Sequence, residues 1–495
     1  MKFKIFVALL ALNLVSCDNY LDINEDPNNL NISEVTPALL LPGAMTSAHS
    51  VQSRTMNQLG NIWMQNWGAD VNNFTQANSD EYRLQLSNSF YSGIWDGLYR
   101  SMANFALINK YNSTNHDNHK AVALIMKAYY MQYVVDLYGD APYSQAFLLA
   151  EDTTPAYDDD KVIYATLISE VDSAIQMFYD ADANDEALGD SDVMFNGNVN
   201  QWIRFANTLK LRLLLRQSDS TDPAIQANVA AGLTALSGAI FLEENATINP
   251  GYNTGTAAQL NPFYSLFKSA AGADTQYNGY TRATDHIASF LNGTAPDSVL
   301  DLRRGRLYTL IGGAVSGAVQ GDLVGPAEMS GVGPGLIKTG DQDGIVLSLA
   351  EINFMISEAI DLGVGFTGSN LYTDAATPFY AGIEASFITL GLTSAQAGAY
   401  IGSSDTVPGL GYNGGNIKQA IMTQKWIATN GINAIESYID MNRTGYPVIP
   451  MATNSLYPTR PLRLLYPTSE LVANSANVPS VGLSQIFVQG PFWKN

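Results

Sequence analysis

Two short stretches of this 495-residue chain interleave aromatic rings with amide, carboxylate and guanidinium groups. The first runs from Trp63 through Gln65, Trp67, Asp70, Asn72, Asn73 and Phe74 to Tyr82 and Arg83. The second holds Gln276, Tyr277, Asn278, Gly279, Tyr280 and Arg282. Such a mixture suits a polyhydroxylated ring, because flat aromatic faces receive its C–H side while amides and carboxylates bond its hydroxyls. Trp67, Asn72, Asn73, Phe74, Tyr82, Tyr277, Asn278, Tyr280 and Arg282 are therefore the candidate ligand-binding residues. Packing competes with this reading wherever aromatics stand four apart on a helix, as Trp63 and Trp67 do. Trp63 is assigned to the core on that ground, as are Trp95 and Tyr99. Trp67 stays a candidate because the chain there runs off a helix into a loop. Tyr277 and Tyr280 flank an Asn-Gly pair and read as loop-tip residues.

Patterns for catalysis fail on inspection. Gly363, Gly365 and Gly368 have the dinucleotide-binding spacing, yet they follow a helical pattern rather than a strand, so Gly363 reads as a helix C-cap. Ser265 and Lys268 with Lys338, Thr339 and Gly340 echo acyl-transfer enzymes but lack a middle motif. Of the four histidines, His116 and His119 lie in an Asn-rich turn and read as solvated loop residues rather than a metal pair. Asp180 to Asn184 begins like a calcium loop, but Asp185 stands where Gly is needed and Ser191 where a bidentate Glu is needed. Asp158, Asp159 and Asp160 precede a helix, where carboxylates complement the N-terminal dipole, a reading preferred to a metal cluster. Among 46 acidic residues no pair stands out for glycoside hydrolysis. No catalytic residue, metal or cofactor is expected.

The elements that must position the candidate residues are mainly helices. Val122, Ile125, Met126, Tyr129 and Tyr133 share one helical face, as do Ile163, Leu167, Val171, Ile175 and Phe178. Trp202, Phe205, Leu209 and Leu213 mark a third helix, and the pattern returns over 347–362, 375–390 and 417–441. Between 249 and 344 the texture changes to Gly, Asn, Pro, Thr and Tyr, which predicts a loop-rich region on the helical scaffold. Lys210 and Arg212 are expected to pair with the acidic surface, and Arg443 and Arg463 to clamp carboxylates such as Glu436 or Glu470.

Charge excludes one class of partner. A formal charge of −21 and a pI near 4.4 are incompatible with the basic patches that nucleic acid requires. Membrane contact is instead expected through an anchor. Lys2 and Lys4 precede an apolar run from Ile5 to Val15, too short for the roughly 20 residues that span a bilayer, and Ser16 precedes the single cysteine, Cys17. This reads as an export signal over 1–16 with Cys17 lipidated, a tether over 17–33, and one mature domain over 34–495. With no second cysteine, no intramolecular disulfide is possible.

An ordered series of phrases runs through the whole chain. It includes Tyr20, Leu21 and Asp22 after Cys17; Asp26, Pro27 and Asn28; Trp95 and Tyr99; and Asp136, Tyr138, Gly139, Asp140, Pro142 and Tyr143. It continues with Trp202, Phe205, Asn207, Lys210 and Arg212; Glu351, Phe354 and Glu358; and Gln424, Lys425 and Trp426. It closes with Asn442, Arg443, Gly445 and Pro447; Arg460, Arg463, Tyr466 and Glu470; and Phe492 and Trp493. This series resembles the SusD/RagB family of outer-membrane lipoproteins, in its SusD-like branch. The resemblance implies a mainly α fold of tetratricopeptide-like helix pairs, a loop-rich ligand face and few short strands. It implies a lipid-anchored protein on the outside of the outer membrane that captures a nutrient, most often a glycan and in some members a peptide. The implied partner is a SusC-like TonB-dependent barrel, and neither catalysis nor a cofactor is implied. The regions comparable to the two aromatic stretches often line the family's ligand site. A surface glycosidase and a scaffold that binds only proteins are the alternatives.

Overall fold

A computed structural model describes residues 35–74, 77–148 and 153–494. Cys17, the signal segment and the tether lie outside these residues.

The apolar periodicities become helices whose ends are closed by local chemistry. The Asp159 carboxylate caps Asp160–Asp180 by accepting from the amides of Lys161 and Val162, and that helix buries Ile163, Leu167, Val171 and Phe178. Asn198 caps Val199–Arg216 and Ser348 caps Leu349–Asp361 in the same way. Gly363 follows the latter helix at φ +65°, a left-handed conformation that favours glycine and stops the helix as the spacing predicts.

In chain order the principal helices are α1 (Pro37–Ser50), α2 (Asn57–Trp63), α3 (Ser79–Arg83), α4 (Ser92–Lys110) and α5 (Asp117–Tyr138). Next come α6 (Asp160–Asp180), α7 (Val199–Arg216) and α8 (Pro223–Ala235). The loop-rich region holds only short ones: α9 (Tyr264–Phe267), α10 (Gln276–Tyr280), α11 (Asp285–Leu291) and α12 (Arg304–Leu307). The last group is α13 (Leu349–Asp361), α14 (Ala376–Thr389), α15 (Ser394–Ser404), α16 (Ile417–Thr429), α17 (Ala434–Thr444) and α18 (Thr468–Ala473). A π-helical segment, Val51–Met56, joins α1 to α2. Helices pack pairwise along the chain, α4 on α5, α5 on α6, α6 on α7 and α7 on α8, which is the tetratricopeptide-like arrangement; α13, α14, α16 and α17 form a second layer reached through α7.

Strands are short and pair segments far apart in sequence. β1 (Trp67–Ala69) is antiparallel to β3 (Thr281–Ala283), with Gly68 opposite Arg282. β2 (Ala246–Ile248) pairs with β4 (Gly344–Leu347).

Several polar residues expected at the surface are inside. Arg212 is buried and pairs with Glu351 and Glu436, rather than with surface acids. Arg216 lies 3.0 Å from Asp136, 2.5 Å from Glu436 and 3.0 Å from Asp440. Arg443 binds Glu358, Asp440 and Asp219 and not Glu436, while Arg463 stacks on the Tyr466 ring, and Glu470 instead accepts from Tyr157. Burial pushes Asp136 up to about 6 even though Arg216 pulls the other way. His116 and His119 are buried too, contrary to the solvated-turn reading: His116 faces Glu186 at 2.9 Å and His119 meets Ser191 at 3.1 Å. The helix α5 begins one residue after His116, so its first turn draws both rings under the α6–α7 connection.

Candidate functional site

The two aromatic stretches meet. After α2, Gln65 takes a left-handed φ of 57° and turns the chain into β1, which lies against β3 directly downstream of α10. The pairing extends one residue further, because the Asp70 amide donates to the Tyr280 carbonyl at 2.7 Å. Phe74 and Tyr280 are thereby brought together, ring centroids 5.9 Å apart and tilted by 59°. Both residues are half-buried. Tyr277 sits behind them at 5.1 Å from Tyr280, and Trp67 lies behind Tyr277 at 6.5 Å.

Asp70 organises the polar rim. Its carboxylate accepts from the backbone amides of Asn72 and Asn73 and from the Asn73 side chain, an Asx-type turn that sets the approach to Phe74. Arg282 stands 3.7 Å from Asp70 and donates to the carbonyls of Asn278 and Thr281. Asn278 bonds the exposed Asp274. The Asn72 amide is engaged with Pro326 and Gly325, so it ties the rim to the loop at 319–326. The result is a pair of aromatic faces bordered by an amide, a carboxylate and a guanidinium.

Tyr277 and Tyr280 are not loop-tip residues: both lie on the short helix α10, and Tyr277 packs against Phe267 and Trp67. Two further candidates are placed otherwise. Trp67 is fully buried, its ring edge-on to Phe267 at 5.6 Å and close to Phe263. Entering a strand instead of a loop turns it inward, so it forms the wall under the site rather than the surface. Tyr82 is also buried, because α3 is short and flanked by left-handed Asn78 and Leu84 that fold it onto the body. Phe74, Asn73, Tyr280, Tyr277, Asn278 and Arg282 converge as a group.

Sequence reasoning missed Glu81 and Tyr91. The Tyr91 hydroxyl donates to Glu81 at 2.8 Å, and Trp63 donates to the Glu81 carbonyl at 3.1 Å. Burial pushes the Glu81 carboxyl up, opposed by its amide and Tyr91 hydrogen bonds, and Tyr91 itself is raised by burial and by the nearby Glu81 and Tyr277. Only the left-handed Tyr91 (φ 51°), just before α4, turns its ring towards this cluster, and no spacing rule reveals that.

A SusD-like family model, described as "Starch-binding associating with outer membrane", matches residues 27–467. The chain belongs to the SusD-like family. No curated protein matches it. Among solved structures, it is similar to a chitin-binding protein at 24% identity and a TM-score of 0.67, over 89% of this chain and 95% of that one. A chitin-binding SusD homolog from Flavobacterium johnsoniae is 20% identical with a TM-score of 0.69, over 92% and 98%. A Bacteroides vulgatus outer-membrane protein, described as probably involved in nutrient binding, is 18% identical with a TM-score of 0.71, over 93% and 100%. At these identities the structures establish that the SusD-like chain shares their mainly α fold. Its family is described as associating with the outer membrane, and among the described residues no helix is long and apolar enough to cross one.

Proposed function

We propose that this SusD-like protein is a surface lipoprotein, anchored through Cys17, that captures an oligosaccharide at Phe74 and Tyr280 and delivers it to a SusC-like TonB-dependent barrel. The observation that carries the reading is the half-buried Phe74–Tyr280 pair beside Asn73, Asn278 and the Asp70–Arg282 contact. Tilted aromatic faces take the C–H side of successive sugar rings, and the rim supplies acceptors and donors for hydroxyls. Carbohydrate is favoured over peptide by the family's starch-binding description and by two chitin-binding structures of the same fold. The role is capture without turnover.

Residues 18–495 titrated calorimetrically with starch and chitin oligosaccharides, acidic glycans and peptides test this. Saturable binding of one glycan class, weakened in Tyr280→Ala and unaccompanied by hydrolysis, is the expected result. Binding of peptides alone would overturn the sugar assignment, and silence across the panel would overturn capture by the isolated protein. Delivery is tested by co-purification of the lipidated chain with a TonB-dependent barrel.

A further inference from the structure

A groove of about 510 Å³ lies between α13 and α14 and shares no residue with the Phe74–Tyr280 rim. Its volume falls within the roughly 300–1,000 Å³ in which small-molecule ligands are held. Leu349, Asn353 and Ile356 line it from one face of α13, and Ala381, Glu384 and Ile388 from one face of α14. The segment 241–245 and the turn at 369–372 complete the walls. That turn is held in place locally. The Ser369 hydroxyl accepts from the amides of Leu371 and Tyr372, and the Ser369 amide donates to the Tyr372 carbonyl. Tyr372 is thereby fixed at the groove before any ligand arrives.

The groove holds polar groups that the fold leaves unused. Asn353 is 3% exposed, yet its side-chain amide makes no hydrogen bond among the described residues, and the little surface it keeps opens on this groove. A buried amide in that state costs free energy until something bonds it. Glu243, Glu244 and Glu384 stand in the lining, all exposed, and no Lys, Arg or His accompanies them there. Arg204 neutralises Glu243, whereas Glu244 accepts only from the uncharged Gln201 amide. Glu384 has neither an ion pair nor a hydrogen bond among the described residues. Two negative charges are thus uncompensated on one cavity. Beside them Leu371 and Ile388 are 54% and 50% exposed, and Tyr372 is half-buried. Burial pushes the Tyr372 hydroxyl up, and the fields of Glu243 and Glu384 push it further, which places both carboxylates within electrostatic reach of its ring.

This combination selects by charge. A neutral ligand leaves both carboxylates uncompensated, and an anion is repelled by them. An ammonium group is attracted by the carboxylates and by an aromatic face, and it can donate to an amide carbonyl. An aliphatic stem behind it covers exposed apolar surface.

We infer that the groove between α13 and α14 is a second ligand site, which takes a primary ammonium on a short aliphatic stem, the cation drawn by Glu384 and Glu244 and bonded by the Asn353 carbonyl, the stem lying along Leu371, Ile388 and Tyr372. The site does not rest on the function assigned at Phe74 and Tyr280. The ammonium belongs either to a lysine side chain in a peptide or to a free alkylamine.

The test follows the Ile388 methyl resonances in residues 18–495 carrying labelled isoleucine methyls, the signal being assigned through Ile388→Val. Pentylamine, pentanol, pentanoate and an acetylated, amidated Gly-Lys-Gly peptide are each titrated to millimolar concentration at neutral pH. A saturable Ile388 shift with pentylamine is expected, at least about ten-fold tighter than with pentanol, absent with pentanoate and weakened by added salt. It should be retained in Tyr280→Ala and become about ten-fold weaker in Glu384→Gln and in Asn353→Leu. Glu384 is exposed, so Glu384→Gln keeps the test decisive should Asn353→Leu fail to fold. A peptide response as tight as that of pentylamine would assign the site to lysine side chains, and a pentylamine response alone would assign it to free amines. Equal binding of amine and alcohol, amine binding unchanged in Glu384→Gln, or no Ile388 shift at all would overturn the inference. A shift that disappears in Tyr280→Ala would overturn it too, since the amine would then sit at the other site.

Discussion

Phe74 and Tyr280, one just after β1 and the other just before β3, face each other across the end of the two-stranded ribbon with centroids 5.9 Å apart. Neither residue has its ring sealed in the core, which separates their contribution to binding from their contribution to folding. Phe74→Ala and Tyr280→Ala should each weaken oligosaccharide binding about ten-fold, the loss of one aromatic face. The thermal midpoint should stay near that of the parent protein. Calorimetry on both variants checks this, and unchanged affinity in both would place the ligand elsewhere.

Trp67 should behave in the opposite way. Its ring is fully enclosed by Phe263, Phe267 and Tyr277, so truncation opens a cavity. Trp67→Ala should cost about 3–5 kcal/mol of stability, read from urea unfolding. Any loss of ligand binding should track the unfolded fraction; a stable Trp67→Ala protein that no longer binds would return Trp67 to the ligand surface.

Arg216 of α7 holds three carboxylates from two other helices, Asp136 of α5 and Glu436 and Asp440 of α17, and all four groups are buried. Without Arg216, Glu436 keeps Arg212 and Asp440 keeps Lys425 and Arg443, but buried Asp136 loses its one ion-pair partner among the described residues. Arg216→Met should destabilise by about 3–5 kcal/mol. By contrast Lys161→Met, which breaks the exposed pair with Asp222, should leave the urea midpoint unchanged.

His49 gives a pH signature. Burial lowers its basicity from 6.5 to about 4, so the unfolded chain takes up a proton that the folded chain refuses. Its contribution to stability is therefore fully present above pH 6.5 and is lost as the pH falls towards 4. The urea midpoint of wild type should fall more steeply than that of His49→Gln across this window. Equal slopes would mean that the folded ring is already protonated or solvated.

Much of the scaffold was legible because it rests on local rules. The spacing of Ile163, Leu167, Val171 and Phe178 dictates a helix with one buried face, Asp159 supplies its cap, and Gly363 ends α13 where the pattern stops. The aromatic and amide content of the two site stretches was visible for the same reason: composition and nearest neighbours are written in order. Periodicity also identified Trp202 and Leu209 as core without knowing their neighbours.

What the sequence by itself determined, then, is helix identity, their ends, the acidic surface and the types of side chain available for a ligand. Tertiary structure alone decided which of those side chains face outward. Trp67 turns inward because a three-residue strand finds its partner more than two hundred residues later, a pairing no local period encodes. Arg212 reads as a surface cation until Glu351 and Glu436 close on it from α13 and α17. His49 ends α1 in the sequence, but its burial depends on β4 placing Gly344 against its ring, so close that a Cβ there would lie 2.2 Å from Nε2. Each of these outcomes is set by long-range contact, whose free energy depends on elements that meet only after the chain has folded.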